Sequence, residues 1–199
     1  MLSMKYLFLN YRSISLLLLV LMVGMSFAVF AQESDKSLNI ERHADEPLQL
    51  VGLKIGSQSI TDKIPVDAHH NSVGIDTITF KQRDGWFRNL EVKLRNVSGK
   101  PIYGVSSHLF FRPSETKTVY SLPLAGFTQS GQGVLEPGRE ITLTVTEQAW
   151  AVTAEILKHY DVDPDRAEVS FGVDVVQFSG NEQWSKGRML RLNPPPPDR

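Results

Sequence analysis

The feature that most constrains this chain is an alternation of apolar and polar side chains, with period two, that recurs between Leu48 and Leu192. A strand points successive side chains to opposite faces, so this pattern describes sheets with one dry and one wet face. In Leu90-Glu91-Val92-Lys93-Leu94-Arg95, the three apolar residues face one way and the three charges the other. Asn96 to Pro101 then carries turn chemistry: Asn and Ser bond locally to backbone, Gly tolerates positive φ, and Pro presets the exit. The next run, Ile102 to Arg112, puts Tyr103, Val105, Ser107, Leu109 and Phe111 on one face, with Ile102, Gly104, Ser106, His108 and Phe110 on the other. The two runs together predict a hairpin. Further strands are predicted at Leu48–Ile55, Ile75–Phe80, Ile141–Val145 and Val169–Val175, the last with Val169, Phe171, Val173 and Val175 inward. Trp184 to Leu192 closes the sheet.

One helix interrupts the pattern, at about residues 147–160. Thr146 is a suitable N-cap and Glu147 suits the first turn. Ala149, Trp150, Val152, Ile156, Leu157 and Tyr160 form an approximate apolar stripe around Thr153. Asp163 precedes Pro164, and a residue before proline resists the helical conformation. Seven or eight short strands with one crossover helix predict a mainly β protein, an immunoglobulin-like two-sheet antiparallel β-sandwich, with an open barrel as the alternative.

The segment ahead of the strands reads differently. Residues 1–31 hold no Asp or Glu; Lys5 and Arg12 precede an apolar run from Ile14 to Phe30. Val29 and Ala31 then stand three and one before Gln32, the layout of a signal peptide cleaved after Ala31. The alternative is an uncleaved signal, anchoring the chain in the inner membrane by residues 14–30. The expected organisation is a signal peptide at 1–31, a flexible polar leader at 32–47, the β-sandwich at 48–192 and a proline-rich tail at 193–199. Four consecutive prolines, Pro194 to Pro197, cannot donate to a ladder and favour polyproline II. The expected location is the periplasm or the exterior.

Composition removes several chemistries. The chain has no Cys, which excludes disulfides, thiolate metal sites and a Cys nucleophile. A net charge of −1 offers no basic field for nucleic acid.

Leu90 to Arg112, then Leu135-Glu136-Pro137-Gly138-Arg139-Glu140, then Val175 to Gly180 with Trp184-Ser185-Lys186-Gly187-Arg188, resemble exported bacterial proteins. Those carry an N-x-S-x-K-x-I hairpin, an L-x-P-G-E turn and a V-x-F-x-D-G-x-x-W-x-x-G ending. The chain is similar, more loosely, to the FxLYD-type immunoglobulin-like modules of bacterial surface proteins. The resemblance implies a sandwich and brings no catalytic residue, ligand or partner. The chain departs from it at Ser179-Gly180-Asn181, where the ending otherwise carries an acidic residue before Gly.

Candidate site residues are few. Asp161, Asp163 and Asp165 have a spacing that can surround a hard cation. Arg166 and Gly172, however, stand where a calcium loop needs its Gly and its bidentate Glu, and a solvated connection is the simpler reading. His69 and His70 are adjacent and cannot share an ion from a strand. His43 falls in the leader, His159 near the helix end, and His108 on a strand. Ser170 and Ser130 lack a nucleophile-elbow context. Asp174 is expected on an outward, solvated face. Asn96-Val97-Ser98 matches a glycosylation sequon but reads as turn chemistry. Trp86, Phe87, Phe110, Phe127 and Trp184 serve either as core or as a binding platform. No cofactor is implied. The expected function is a non-enzymatic binding or assembly module of the bacterial cell envelope, with an envelope protein or glycan as partner. No nucleic-acid partner is expected, and membrane contact only if the signal segment is uncleaved. The alternative is an envelope hydrolase with a site assembled from distant loops.

Overall fold

The computed structural model describes residues 33–64, 73–126 and 133–192. Eleven strands and one α-helix follow in chain order: β1 (Ser34–Arg42), β2 (Leu48–Ile55), β3 (Gln58–Ser59), β4 (Gly74–Gln82), β5 (Leu90–Asn96), β6 (Ile102–Arg112), β7 (Tyr120–Pro123), β8 (Glu140–Thr144), α1 (Glu147–His159), β9 (Glu168–Phe178), β10 (Glu182–Ser185) and β11 (Arg188–Arg191). A seven-stranded sheet holds β1, β4, β6, β7, β9, β10 and β11; a four-stranded sheet runs β3-β2-β5-β8. The described residues form a mainly β, two-sheet sandwich with one crossover helix, the predicted class. Inner side chains of both sheets, among them Leu90, Val92, Leu143, Phe171 and Val173, share one core, with Ile141 packed against it. Among the described residues, no helix is long and apolar enough to cross a membrane. The signal segment 1–31, the cut after Ala31 and the tail 193–199 lie outside the described residues.

Three expectations need correction. The leader is not a flexible segment: Ser34–Arg42 is a strand between β4 and β9, antiparallel to one and parallel to the other. Its two core side chains, Leu38 and Ile40, are buried. Charged neighbours masked that short alternation, and the parallel pair makes the sheet mixed rather than purely antiparallel.

The predicted hairpin of β5 and β6 is instead an arch between sheets. β5 pairs with β2 and β8, and β6 with β7 and β9. Asn96, 1% exposed, builds the arch. Its Nδ2 donates to Lys100 O and Leu135 O, both at 2.8 Å, and its Oδ1 accepts from Ser98 N at 3.0 Å. A buried Asn so engaged is turn chemistry, not a glycan acceptor.

The third correction is parity. Against β9, the register of β6 skips Tyr103; against β6, the register of β9 skips Asp174. Each is a β-bulge, which shifts later side chains to the other face. Ile102 is therefore in the core with Leu109 and Phe111. Val176 and Phe178, not Val175, continue the buried set of β9.

Candidate functional site

The bulge at Asp174 lies in a polar cluster on the outer face of the seven-stranded sheet. His108 on β6 lies opposite Gly172 of β9. Its Nδ1 contacts Asp174 Oδ2 at 2.5 Å. Lys186, in the β10–β11 turn, reaches Asp174 Oδ1 at 3.3 Å and lies 5.9 Å from the centre of the Phe110 ring. Asp174 is thus outward as predicted, but half-buried and engaged rather than solvated. Burial alone would push its carboxyl up; the hydrogen bond and charge of His108, with Lys186, outweigh this and hold it below the usual carboxylate range. Beside it, Ser170 Oγ donates to Glu41 Oε1 at 2.9 Å. Glu41 reaches across Gly172, where an added Cβ would lie 3.3 Å from Glu41 Oε2 and 3.4 Å from the Phe110 ring. With no side chain at Gly172, Glu41 of β1 and Phe110 of β6 both approach β9 there.

Next to this cluster lies a groove of about 680 Å³ between α1 and the β6–β7 edge. Its apolar lining includes Val105, Leu124, Val152 and Ile156; Ser106, Ser107, His108 and Thr146 bring polar groups. The helix begins as predicted, Thr146 Oγ1 accepting from Ala149 N at 3.1 Å. Its apolar stripe divides in two, however. Thr153 and Leu157 are buried, while Val152, Ile156 and Tyr160 are exposed. The spacing i, i+4, i+8 places these three on one face, and the first two form a groove wall.

Two features of β6 matter here. On its outer side Ile102 exchanges backbone bonds with Leu135, and Ser107 O accepts from Leu124 N; between those points no described residue pairs with it. The ladder's period directs the amide and carbonyl of Val105 into that gap, away from β9. The second feature is Ser107, 2% exposed, whose Oγ has no hydrogen-bond partner among the described residues. A buried hydroxyl without a partner costs about 1–3 kcal/mol, and Ser107 lines the groove.

The carboxylates singled out in sequence do not converge. Asp161 has φ 53°, the left-handed residue that ends α1, with Val162 N donating to Leu157 O at 2.9 Å. Asp163 accepts from Asp165 N and pairs with Arg166 at 3.3 Å. Asp165 accepts from Gly85 N at 2.8 Å and lies 3.6 Å from Lys36; burial pushes its carboxyl up. Among the described residues no group of three His or carboxylate side chains is placed to hold a metal. His43 meets Trp184 edge-on at 5.9 Å, and His159 meets Tyr160 at 4.8 Å. Trp86, Phe87 and Trp184 belong to the core; Phe110 is half-buried beside His108. His69, His70, Phe127 and Ser130 lie outside the described residues.

Sequence reasoning missed Glu41, Ser107 and Lys186. The available signal was Ser106-Ser107-His108, a polar interruption in an otherwise apolar strand.

No family model, no curated protein and no solved structure matches this chain.

Proposed function

We propose that the protein is an exported binding or assembly module of the bacterial cell envelope, and that the groove between α1 and β6 receives an extended segment of a partner protein. The observation that carries this reading is the gap on the outer side of β6 at Tyr103–Ser106. A pleated segment laid there would bond to Val105 as a strand does, and would set alternate side chains against Val152 and Ile156. Ser107 Oγ would gain a partner. A glycan would use exposed aromatic faces instead, and three of the five candidate aromatics are core residues. The test is a photo-crosslinker at Ser106 in the native cell. Val105→Pro removes the free amide without removing a β9 bond, and Ile156→Glu charges the wall. Both should abolish a specific crosslink that Lys93→Glu, on the other sheet, leaves intact; crosslinks indifferent to both changes would refute the groove.

A second reading, an envelope hydrolase, has one observation in its favour: His108 is oriented by Asp174 as a general base is, at the groove. Turnover of ester, peptide or glycoside substrates by the purified protein, lost in both His108→Ala and Asp174→Ala, would establish it in place of the binding reading.

A further inference from the structure

The β10–β11 hairpin presents a second open edge, on the opposite flank of β9. β11 pairs only with β10 among the described residues. Leu192 N donates to Asn181 O at 2.8 Å. By the two-residue period of the ladder, Arg188, Leu190 and Leu192 therefore face β10, while Met189 and Arg191 turn their amides and carbonyls outward. All four β11 residues are exposed, and Met189, Leu190 and Leu192 are 52%, 44% and 46% accessible.

The hairpin is held firmly. Trp184, at 0% exposure, packs beneath it, and its Nε1 donates to Ala44 O at 3.4 Å. Lys186 and Gly187, with φ 47° and 83°, form the two-residue turn whose twist suits a hairpin. The edge is also strongly one-signed. Ser185 to Leu192 holds Lys186, Arg188 and Arg191 and no acidic residue. Arg188 makes no ion pair among the described residues, and Arg191 approaches Glu182 only to 3.9 Å.

We propose that β11 docks an extended, acidic segment of a partner protein, which adds to the seven-stranded sheet as its next strand. The partner's carboxylates meet Arg188 and Arg191, and its apolar side chains cover Met189, Leu190 and Leu192. A second copy of this chain fits poorly, because it brings Arg188 and Arg191 again to the shared edge and no carboxylate between Ser185 and Leu192. A lipid surface fits poorly too. Met189 lies on one face of the strand and Leu190 and Leu192 on the other, so a flat membrane collects only part of the patch, whereas an added strand flanks both faces. This surface is separate from the groove and carries its own test.

The probe is a fluorescein-labelled peptide of Glu-Glu-Val-Val repeats, which as a strand presents both residue types on each face, titrated by anisotropy into the protein as purified from its producing cell, beside the same peptide with Lys for Glu. Two variants read the two components. Arg188→Glu reverses the charge of an exposed side chain. Met189→Pro removes an outward N–H and no bond to β10, as an edge strand tolerates. Thermal unfolding confirms that both remain folded; should Met189→Pro unfold, a peptide N-methylated along its backbone replaces it. The Glu peptide should bind, the Lys peptide should not, and each variant should weaken binding about tenfold or more, with Arg188→Glu transferring preference to the Lys peptide. Absence of Glu-peptide binding overturns the proposal, as does equal binding of both peptides or indifference to Met189→Pro. Binding to phosphatidylglycerol vesicles that survives Met189→Pro assigns the patch to a membrane instead. Self-association in sedimentation that Met189→Pro abolishes assigns it to a second copy.

Discussion

On the outside of the four-stranded sheet, Lys54 faces Glu91 at 3.5 Å, and Glu140 sits between Lys93 at 3.6 Å and Arg95 at 2.6 Å. The strand that carries most of these charges, β5, keeps strict alternation from end to end. On the outside of the seven-stranded sheet, two bulges break the alternation. Polar groups sink partly below the surface: Ser170 to Glu41, Asp174 to His108 and Lys186. The first face solvates a sheet with exposed ion pairs, each of little energetic weight. The second holds half-buried polar groups that must be satisfied one by one. The four-stranded sheet has a bulge too, at Val51 of β2, but there the flanking strands β5 and β3 stay paired, whereas beside the Tyr103 bulge the outer side of β6 is open among the described residues. The candidate site falls where a bulge and an open edge coincide.

The largest test of this contrast lies where the two sheets join, in the turn between β1 and β2. Burial pushes the Glu46 carboxyl up to about 7 from 4.5, against the hydrogen bond from His43 N and the charge of Arg42. The folded protein thus keeps a proton that the unfolded chain releases. The stabilisation from this site is complete below the unfolded value and is lost as pH rises through about 7, a loss of up to about 3 kcal/mol. Urea unfolding between about pH 5 and pH 8 should show that decline, and Glu46→Gln should flatten it. A slope unchanged by Glu46→Gln would place the titration elsewhere.

Next in size is Gly172→Val. Its side chain would press on Glu41 and Phe110, already at tight contact with a bare Cβ, and should cost about 1–3 kcal/mol, whereas Lys93→Val on the other sheet should stay within about 0.5 kcal/mol. Equal costs would erase the contrast. Asp174→Ala should cost about 1 kcal/mol through loss of the hydrogen bond to His108, read as a shift in the urea midpoint. The smallest effect belongs to the regular face. A double-mutant cycle on Arg95 and Glu140 should give only a small coupling that fades with added salt. Arg95 holds the Glu140 carboxyl below its usual range, yet both groups are well solvated.

Much of the fold was legible residue by residue. The limits of β2 and β6, the Thr146 cap and the dry set Leu90, Val92 and Leu94 agree with the pattern in sequence. The site was legible only as fragments. His108 and Asp174 each stood out, but 66 positions separate them, and no spacing rule links them. The α1 stripe was visible as one apolar set, and its division into a core half and an exposed half was not, because both halves satisfy the same helical period.

The order of side chains along the backbone determined by itself that most of this chain forms two-faced strands, since the pleat assigns neighbouring residues to opposite sides wherever a strand forms. Only the tertiary structure decided which strands share a sheet, that Ser34–Arg42 enters between β4 and β9, and where bulges at Tyr103 and Asp174 reverse the faces. Alternation is a local property of the chain, while pairing and register are settled by contacts between residues far apart in sequence, each stabilised only once the others have formed.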